Sequence, residues 1–339
     1  MAVVSAAAVP EAALRWRQLP PLPDPRGFAS PFVGVDRGVL LVAGGANFPE
    51  KQLWDGGRKV WHDRVFALEA GAAEWRPAGR LPRALGYGTA ISTADGVLCI
   101  GGSDAREHHA AVFLLQWRDG NLAVIPQPPL PRPIALAAGA RAGDVMYVAG
   151  GLAAPDAPEP LRTFLAFDLR RPEAGWRELP SWPGPGRSQA VAAAVGDDFF
   201  LFSGLRPATA TTAGPRLEYL KDAYRYSPGR GWTRLPDLPH AAAAAASPAP
   251  TLGGDVLAVG GVDGTGFGRP PQEFHLVPQR IQRWSSVAKT WSEAGNAPVG
   301  RVCVSTAEWG GEWILPSGER SAGVRSPEVW ALDVRAAGK

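Results

Sequence analysis

The chain has 339 residues and little of the side-chain chemistry that names most enzymes at sight. It has two cysteines, Cys99 and Cys303, each inside an apolar run (VLCIG and RVCVS). No disulfide framework and no cysteine metal site can be built from them. Its five histidines (His62, His108, His109, His240 and His275) and five tyrosines show no paired arrangement at blade mouths, which argues against a His/Tyr copper centre. His108 and His109, in REHHAAV, read as a solvated junction between loop and strand. Neither sign of charge dominates, with 35 Lys+Arg against 32 Asp+Glu and a net charge of +3. Such a balance gives no support to a nucleic-acid partner. No apolar run approaches the length of a membrane span. The first residues, MAVVSAAAVPEAAL, have no basic start and make a poor secretory signal. The expectation is therefore a cytoplasmic protein, or a periplasmic one if a signal is missing or atypical. Phosphate loops, dinucleotide fingerprints and serine nucleophile elbows are absent.

What is abundant is turn-forming residues and aromatic bulk: 41 Gly, 34 Pro and 13 Trp, with 45% hydrophobic residues. Gly and Pro both interrupt helix interiors, so long helices are not expected. The apolar content is too high for disorder. Short apolar runs between Gly/Pro turns predict an all-β sandwich, barrel or propeller.

One local pattern occurs six times, an apolar run ending in a small pair. The pairs are Gly44-Gly45, Gly101-Gly102, Gly150-Gly151, Ser203-Gly204, Gly260-Gly261 and Ser317-Gly318, spaced by 49 to 57 residues. A period near fifty with this signature resembles the kelch repeat, in which each unit is one four-stranded propeller blade. A Trp followed by an apolar/Pro turn marks the last strand of most units, at Trp75, Trp176, Trp232 and Trp291. The second unit has LAVIPQPPLPR instead, and the sixth ends without such a strand. The missing piece is Trp16 in WRQLPPLPDPR, so the N-terminal strand is predicted to complete the last blade and remove the exposed sheet edges. The expected organisation is a tail over 1–13, one six-bladed propeller over 14–334, and a tail over 335–339. Its blades are 26–77, 83–126, 132–179, 187–235, 240–293, and 301–334 with 14–19. The Gly pairs and Trp residues are read as makers of the fold.

After each Pro turn stand Arg26, Arg83, Arg132, Arg187, His240 and Arg301. They are predicted to start the innermost strands and to give the axial channel a cationic mouth. Converging guanidinium groups suit an anionic small molecule. Each could equally bind backbone carbonyls and the carboxylates of adjacent blades. The long loops on the same face are the other candidates. The first supplies Asn47, Glu50, Asp55, Arg58, His62 and Asp63. The fourth, Leu205 to Leu220, is rich in Thr and Pro, and the fifth contains Asp263, Glu273 and His275. The sixth, SGERSAGVRSPEVW, sets Glu319 and Arg325 six residues apart, either a plain ion pair or a base beside a carboxylate anchor.

Two of these loops carry a further resemblance. The segment GGANFP…WDGGRKVWHD, Gly44 to Asp63, is similar to the signature of the bacterial sialic acid mutarotases, the N-acetylneuraminate epimerases. SGERSAGVRSPEVWAL is similar to that family's G-E-x-x-x-G-x-R-[ST] loop, with Ser317 where the family has Asn. The blade order reads as a cyclic permutation of the periplasmic members. The resemblance implies interconversion of the α and β anomers of N-acetylneuraminate or a related acidic sugar. It also implies Glu319 as proton acceptor, with Arg325 in the site. Breaking the bond between ring oxygen and anomeric carbon takes a base and an acid, and needs no metal or redox cofactor. On this reading Arg325, helped by Arg26, Arg83, Arg187 or Arg301, holds the sugar carboxylate, and Asn47 or His62 contacts ring or glycerol hydroxyls. The expected partner is thus a small acidic sugar, with neither nucleic acid nor membrane. A sialidase is disfavoured, because its repeated S-x-D-x-G-x-T-W turns are missing. The remaining alternative is a non-catalytic kelch propeller that binds a protein or carbohydrate.

Overall fold

The computed structural model describes residues 14–208, 216–265 and 277–334. Six four-stranded antiparallel sheets follow one another along the chain. In the first blade the strands are Phe32–Asp36, Val39–Ala43, Arg64–Leu68 and Arg76–Arg80, in that order from one edge of the sheet to the other. Blades two to five repeat this order, and the second has a full outer strand, Asn121–Gln127, without the Trp landmark. The sixth is composite. Its strands Ala307–Trp309, Glu312–Pro316 and Val329–Asp333 are completed by Arg15–Leu19, with Trp16 opposite Leu332. The predicted six-bladed propeller and its closure by the N-terminal strand are both present. No helix among the described residues is long and apolar enough to cross a membrane.

Period-two strands bury both faces here, because each blade is sandwiched between two neighbours. Phe32, Leu41 and Val65 of the first blade pack on Ala90, Cys99, Phe113 and Trp117 of the second. Its other face, with Val33, Leu40 and Val42, meets Ala307, Ile314 and Ala331 of the sixth. The landmark tryptophans tie neighbours together: Trp75, Trp176 and Trp232 donate Nε1–H to the carbonyls of Pro20, Pro128 and Pro180, each in the preceding blade's Pro turn.

The small pairs have a second role in closure. Gly44 and Gly45 sit at φ +67° and +90°, and a Cβ on Gly44 would come 2.2 Å from the Leu85 carbonyl oxygen of the next blade. That close approach lets Gly45 N–H donate to Leu85 O. In the sixth blade Ser317 takes the first position at φ +62°. Its hydroxyl accepts from Phe28 N–H at 2.6 Å and donates to Ser326 O at 2.7 Å, so the last blade grips the first.

Around the axis the backbone forms a closed ring of six hydrogen bonds. The N–H groups of Ser30, Tyr87, Leu136, Gln189, Ala244 and Cys303 donate in turn to the carbonyl of the residue before each in the circle, Cys303 serving Ser30, at 2.8–3.0 Å. All six are non-glycine residues at φ between 45° and 59°. That conformation costs about 1–2 kcal/mol per residue, and the inter-blade bond each one makes offsets it. A small pocket of about 60 Å³ lies against the ring.

Candidate active site at the channel mouth

The ring changes the meaning of the arginine register. The innermost strands begin at Phe32, Thr89, Ala138, Val191, Thr251 and Ala307, four to eleven residues after the aligned basic residues. The expectation that these residues start the strands beside the channel is therefore corrected. The residues that circle the axis are those of the hydrogen-bonded ring.

Arg187 is fully buried. It makes a two-pronged bond to Asp222 at 2.8 and 2.6 Å and another to Ser203 O at 3.0 Å. Arg301 is buried as well, paired with Glu328 and bonded to Gly300 O at 3.1 Å. Both are tied to carboxylates and carbonyls of their own blades, although Arg301 Nε is left buried without a partner. Arg132 is exposed and bonds Glu178 at 3.3 Å, and His240 lies 3.3 Å from Glu293. Arg26 and Arg83 are exposed on the upper face, in separate hollows. Arg26 shares a hollow of roughly 310 Å³ with Phe48, Arg320 and Arg325. Arg83 shares a cleft of roughly 690 Å³ with Lys59 and Trp61, and its Nη1 lies 3.2 Å from His109 Nδ1.

Asn47 and His62 are corrected in the same way. Asn47 is fully buried. Its Nδ2 donates to Gly27 O at 2.8 Å and to Asp24 at 3.3 Å, while its Oδ1 takes His62 Nε2 at 2.8 Å. His62 Nδ1 faces Arg64 Nη2 at 3.5 Å, and Arg64 pairs with Asp24. Burial first, and then the Arg64 charge, hold His62 below its ordinary pKa, so it is a neutral member of a closed network. These side chains shape the base of the first loop and bond one another, Asp24, Gly27 and Arg64, while Asn47 also lines the hollow that holds Arg26 and Arg325. Glu273 and His275 of the fifth loop lie outside the described residues. Asp263, from the same loop, bonds Arg280 at 3.4 Å.

Glu319 and Arg325 do come together. They face each other across a ribbon of Glu319–Ser321 and Val324–Arg325, which reverses at Gly323 with φ +75°. Gly323 N–H donates to Glu319 Oε2 at 3.2 Å, and Arg325 Nη2 lies 3.0 Å from Glu319 Oε1. Their side chains are only 14% and 4% exposed. Glu319 is fixed by two backbone bonds to Val302, next to the ring residue Cys303. A Cβ on Gly323 would sit 3.1 Å from Leu53, so the first loop leans on this ribbon. The same loop lays Phe48 against the guanidinium, 4.7 Å from Arg325 Cζ to the ring centroid.

The pair has company that sequence reasoning missed. Lys59 Nζ lies over the rings of Tyr87 and Trp61, at 4.3 and 4.7 Å from their centroids. Burial pulls the Lys59 amine below its ordinary pKa, Arg325 adds to this, and Glu319 opposes it. Burial pushes the Tyr87 hydroxyl up, and the Glu319 carboxylate pushes it further. Arg325 pulls the other way, although no hydrogen bond of normal geometry joins it to Tyr87. Burial, with Glu319, raises the Cys303 thiol to about 12, which makes it a poor nucleophile. Most telling is Arg325 itself: its Nε and Nη1 are buried with no hydrogen-bond partner. A buried donor left unpaired costs about 1–3 kcal/mol, so this fork is suited to an incoming carboxylate.

Comparison with known proteins agrees with this architecture. The family NANM, N-acetylneuraminate epimerase, matches residues 2–124 and 127–269. Its match takes in Lys59 and Tyr87 and stops short of the ribbon of Glu319 and Arg325. An N-acetylneuraminate epimerase of Salmonella enteritidis is 40% identical over 124 residues, which is 33% of this chain and 32% of that protein. One from Yersinia pestis is 41% identical over 108 residues, 29% of this chain and 27% of that protein. The matched segment thus spans about a third of the length of these curated relatives. The solved structure of YjhT superimposes with a TM-score of 0.68 over 92% of this chain and 96% of its own, at 15% identity, which speaks for the fold. By the extent of the family match, the chain belongs to the N-acetylneuraminate epimerase family.

Proposed function

We propose that this protein is a mutarotase that interconverts the α and β anomers of N-acetylneuraminate or a closely related acidic sugar. The observation that carries the reading is the pairing of Glu319 with an Arg325 whose Nε and Nη1 are buried and unpartnered. The Arg325 fork takes the sugar carboxylate, which sits on the anomeric carbon itself. Holding that group therefore holds the reacting centre next to Glu319. Glu319 accepts the anomeric hydroxyl proton, the bond from the anomeric carbon to the ring oxygen breaks, and the open-chain ketone forms. Rotation about the bond to the anomeric carbon and reclosure deliver the other anomer. Phe48, packed on the guanidinium, keeps competing water from it and strengthens its hold on an anion. Arg26, exposed in the hollow beside Arg325, is the one aligned arginine placed to add long-range attraction for the carboxylate.

The test is anomer exchange followed by NMR on N-acetylneuraminate, with a neutral hexose as control. Exchange of the acidic sugar accelerated well above its uncatalysed rate, with the hexose unaffected, is the expected result. A protein that binds neither sugar, or accelerates both alike, contradicts the reading.

A further inference from the structure

Glu319 supplies a base, and the reaction also needs a group that protonates the ring oxygen as the ring opens. We infer that the ammonium group of Lys59 is this proton donor, held over the rings of Tyr87 and Trp61. The inference rests on the mutarotase reading and assigns a role that reading leaves open.

Position comes first. Tyr87 and Cys303 are both members of the axial ring, and Lys59 Nζ stands 4.3 Å from the Tyr87 ring centroid. The charges of Arg325 and Glu319 both bear on the amine. Among the described residues Lys59 makes no ion pair that would tie up its protons; its contacts are the two aromatic faces. Cation–π contact fixes an ammonium in place without accepting its hydrogens, so all three N–H bonds stay available. On its other side Lys59 borders the cleft of roughly 690 Å³, where the charged groups facing it are Glu50, Arg58, Arg83, Asp104 and Arg106.

Elimination points the same way. Four groups beside Glu319 carry a titratable proton: Lys59, Tyr87, Cys303 and Arg325. The thiol is raised to about 12 and the phenol is also pushed up, so both hold their protons more tightly than usual. An arginine does not release a proton in a protein. Lys59 alone is moved toward neutrality. In the forward step the anomeric O–H bond breaks and its proton goes to Glu319. The carbon–ring-oxygen bond breaks with its electron pair on oxygen, and that oxygen takes a proton from Lys59. Reclosure returns both protons, so no co-reactant is consumed.

The experiment compares wild type, E319Q, K59M and K59R by NMR anomer exchange across pH, with sialate affinity measured in parallel. Lys59 is half-buried at a loop, and matched melting temperatures establish that the variants fold. In wild type the catalysed rate, corrected for uncatalysed exchange, falls on the alkaline side at a pH below the ordinary lysine value of 10.5. K59M is expected to lose about 100-fold or more in rate, the scale of one general acid. It should also lose the alkaline fall, with affinity changed by less than about 3-fold. K59R keeps the charge but cannot donate, and is expected to be as slow as K59M. A K59M rate within about 3-fold of wild type, or rescue by K59R, overturns the donor role. If E319Q is inactive in that case, the mutarotase reading stands. Wild type without any exchange activity overturns both.

Discussion

Arg325 approaches Glu319 to 3.0 Å across a two-strand ribbon, yet spends only one of its nitrogens on the carboxylate. The remaining Nε and Nη1 are buried and unpartnered. This arrangement separates two functions that an ordinary ion pair would merge. The carboxylate is oriented by Nη2 and by Gly323 N–H, and the rest of the fork is left for a ligand anion.

Replacing Arg325 is expected to weaken binding by the folded protein and, because Glu319 is left without its partner, to lower stability as well. R325A is expected to raise the dissociation constant for sialate by about 30-fold or more, since removing one partner of a buried charged contact costs ~2–5 kcal/mol. R325K keeps the charge but loses the bidentate geometry and is expected to fall between the two. Titration calorimetry reads the difference, and unchanged affinity in R325A would remove the carboxylate anchor from the account.

Arg187 makes the opposite prediction. Its side chain is 0% exposed and bound to Asp222, so R187M leaves a carboxylate buried without its partner. The expected cost is about 3–5 kcal/mol of stability in urea unfolding, with sialate affinity of the folded protein unchanged. Loss of affinity at full stability would restore Arg187 to the binding site.

His62 gives stability a pH dependence. Its folded pKa lies below the ordinary value of 6.5, so the unfolded chain takes up the proton first as pH falls. The contribution is fully present above that ordinary value and is lost as pH drops through the folded one. Urea midpoints at roughly pH 7.5 and 5.5, either side of the histidine reference value, should show the decline. H62Q, which keeps an N–H for Asn47 Oδ1, should flatten it. An equal decline in H62Q would place the effect elsewhere.

The propeller was legible because each of its requirements leaves a residue behind. Gly44-Gly45 must be small where the next blade's Leu85 carbonyl presses in. Trp75 must bring an N–H to Pro20, and Trp16 had to belong to a blade that lacked a last strand. The contact between Glu319 and Arg325 was legible as an ion pair from their six-residue spacing around Gly323, while their place in a site came from the resemblance of the loop to the epimerase family. The arginine register misled because Arg187 and Arg301 recur for blade-internal clamps to Asp222 and Glu328, a structural use that looks the same in sequence as a functional one. The axial positions were invisible: Ser30, Tyr87, Leu136, Gln189, Ala244 and Cys303 share a backbone conformation and no residue type. Asn47 and His62 could not be told from ligand contacts, because which way Asn47 faces is decided by Asp24 and Gly27, some twenty residues earlier in the chain, and His62 follows it. Lys59 stood in plain view in the first loop, but only packing reveals that it rests on Tyr87, within the field of Glu319.

The most direct measurement is the anomer-exchange rate of E319Q on N-acetylneuraminate. The amide keeps the size of the side chain and an oxygen for Arg325, but it cannot accept the anomeric proton. The account predicts a fall of about 100-fold or more, the contribution of one general base, with the melting temperature close to wild type. Exchange at the wild-type rate would contradict it.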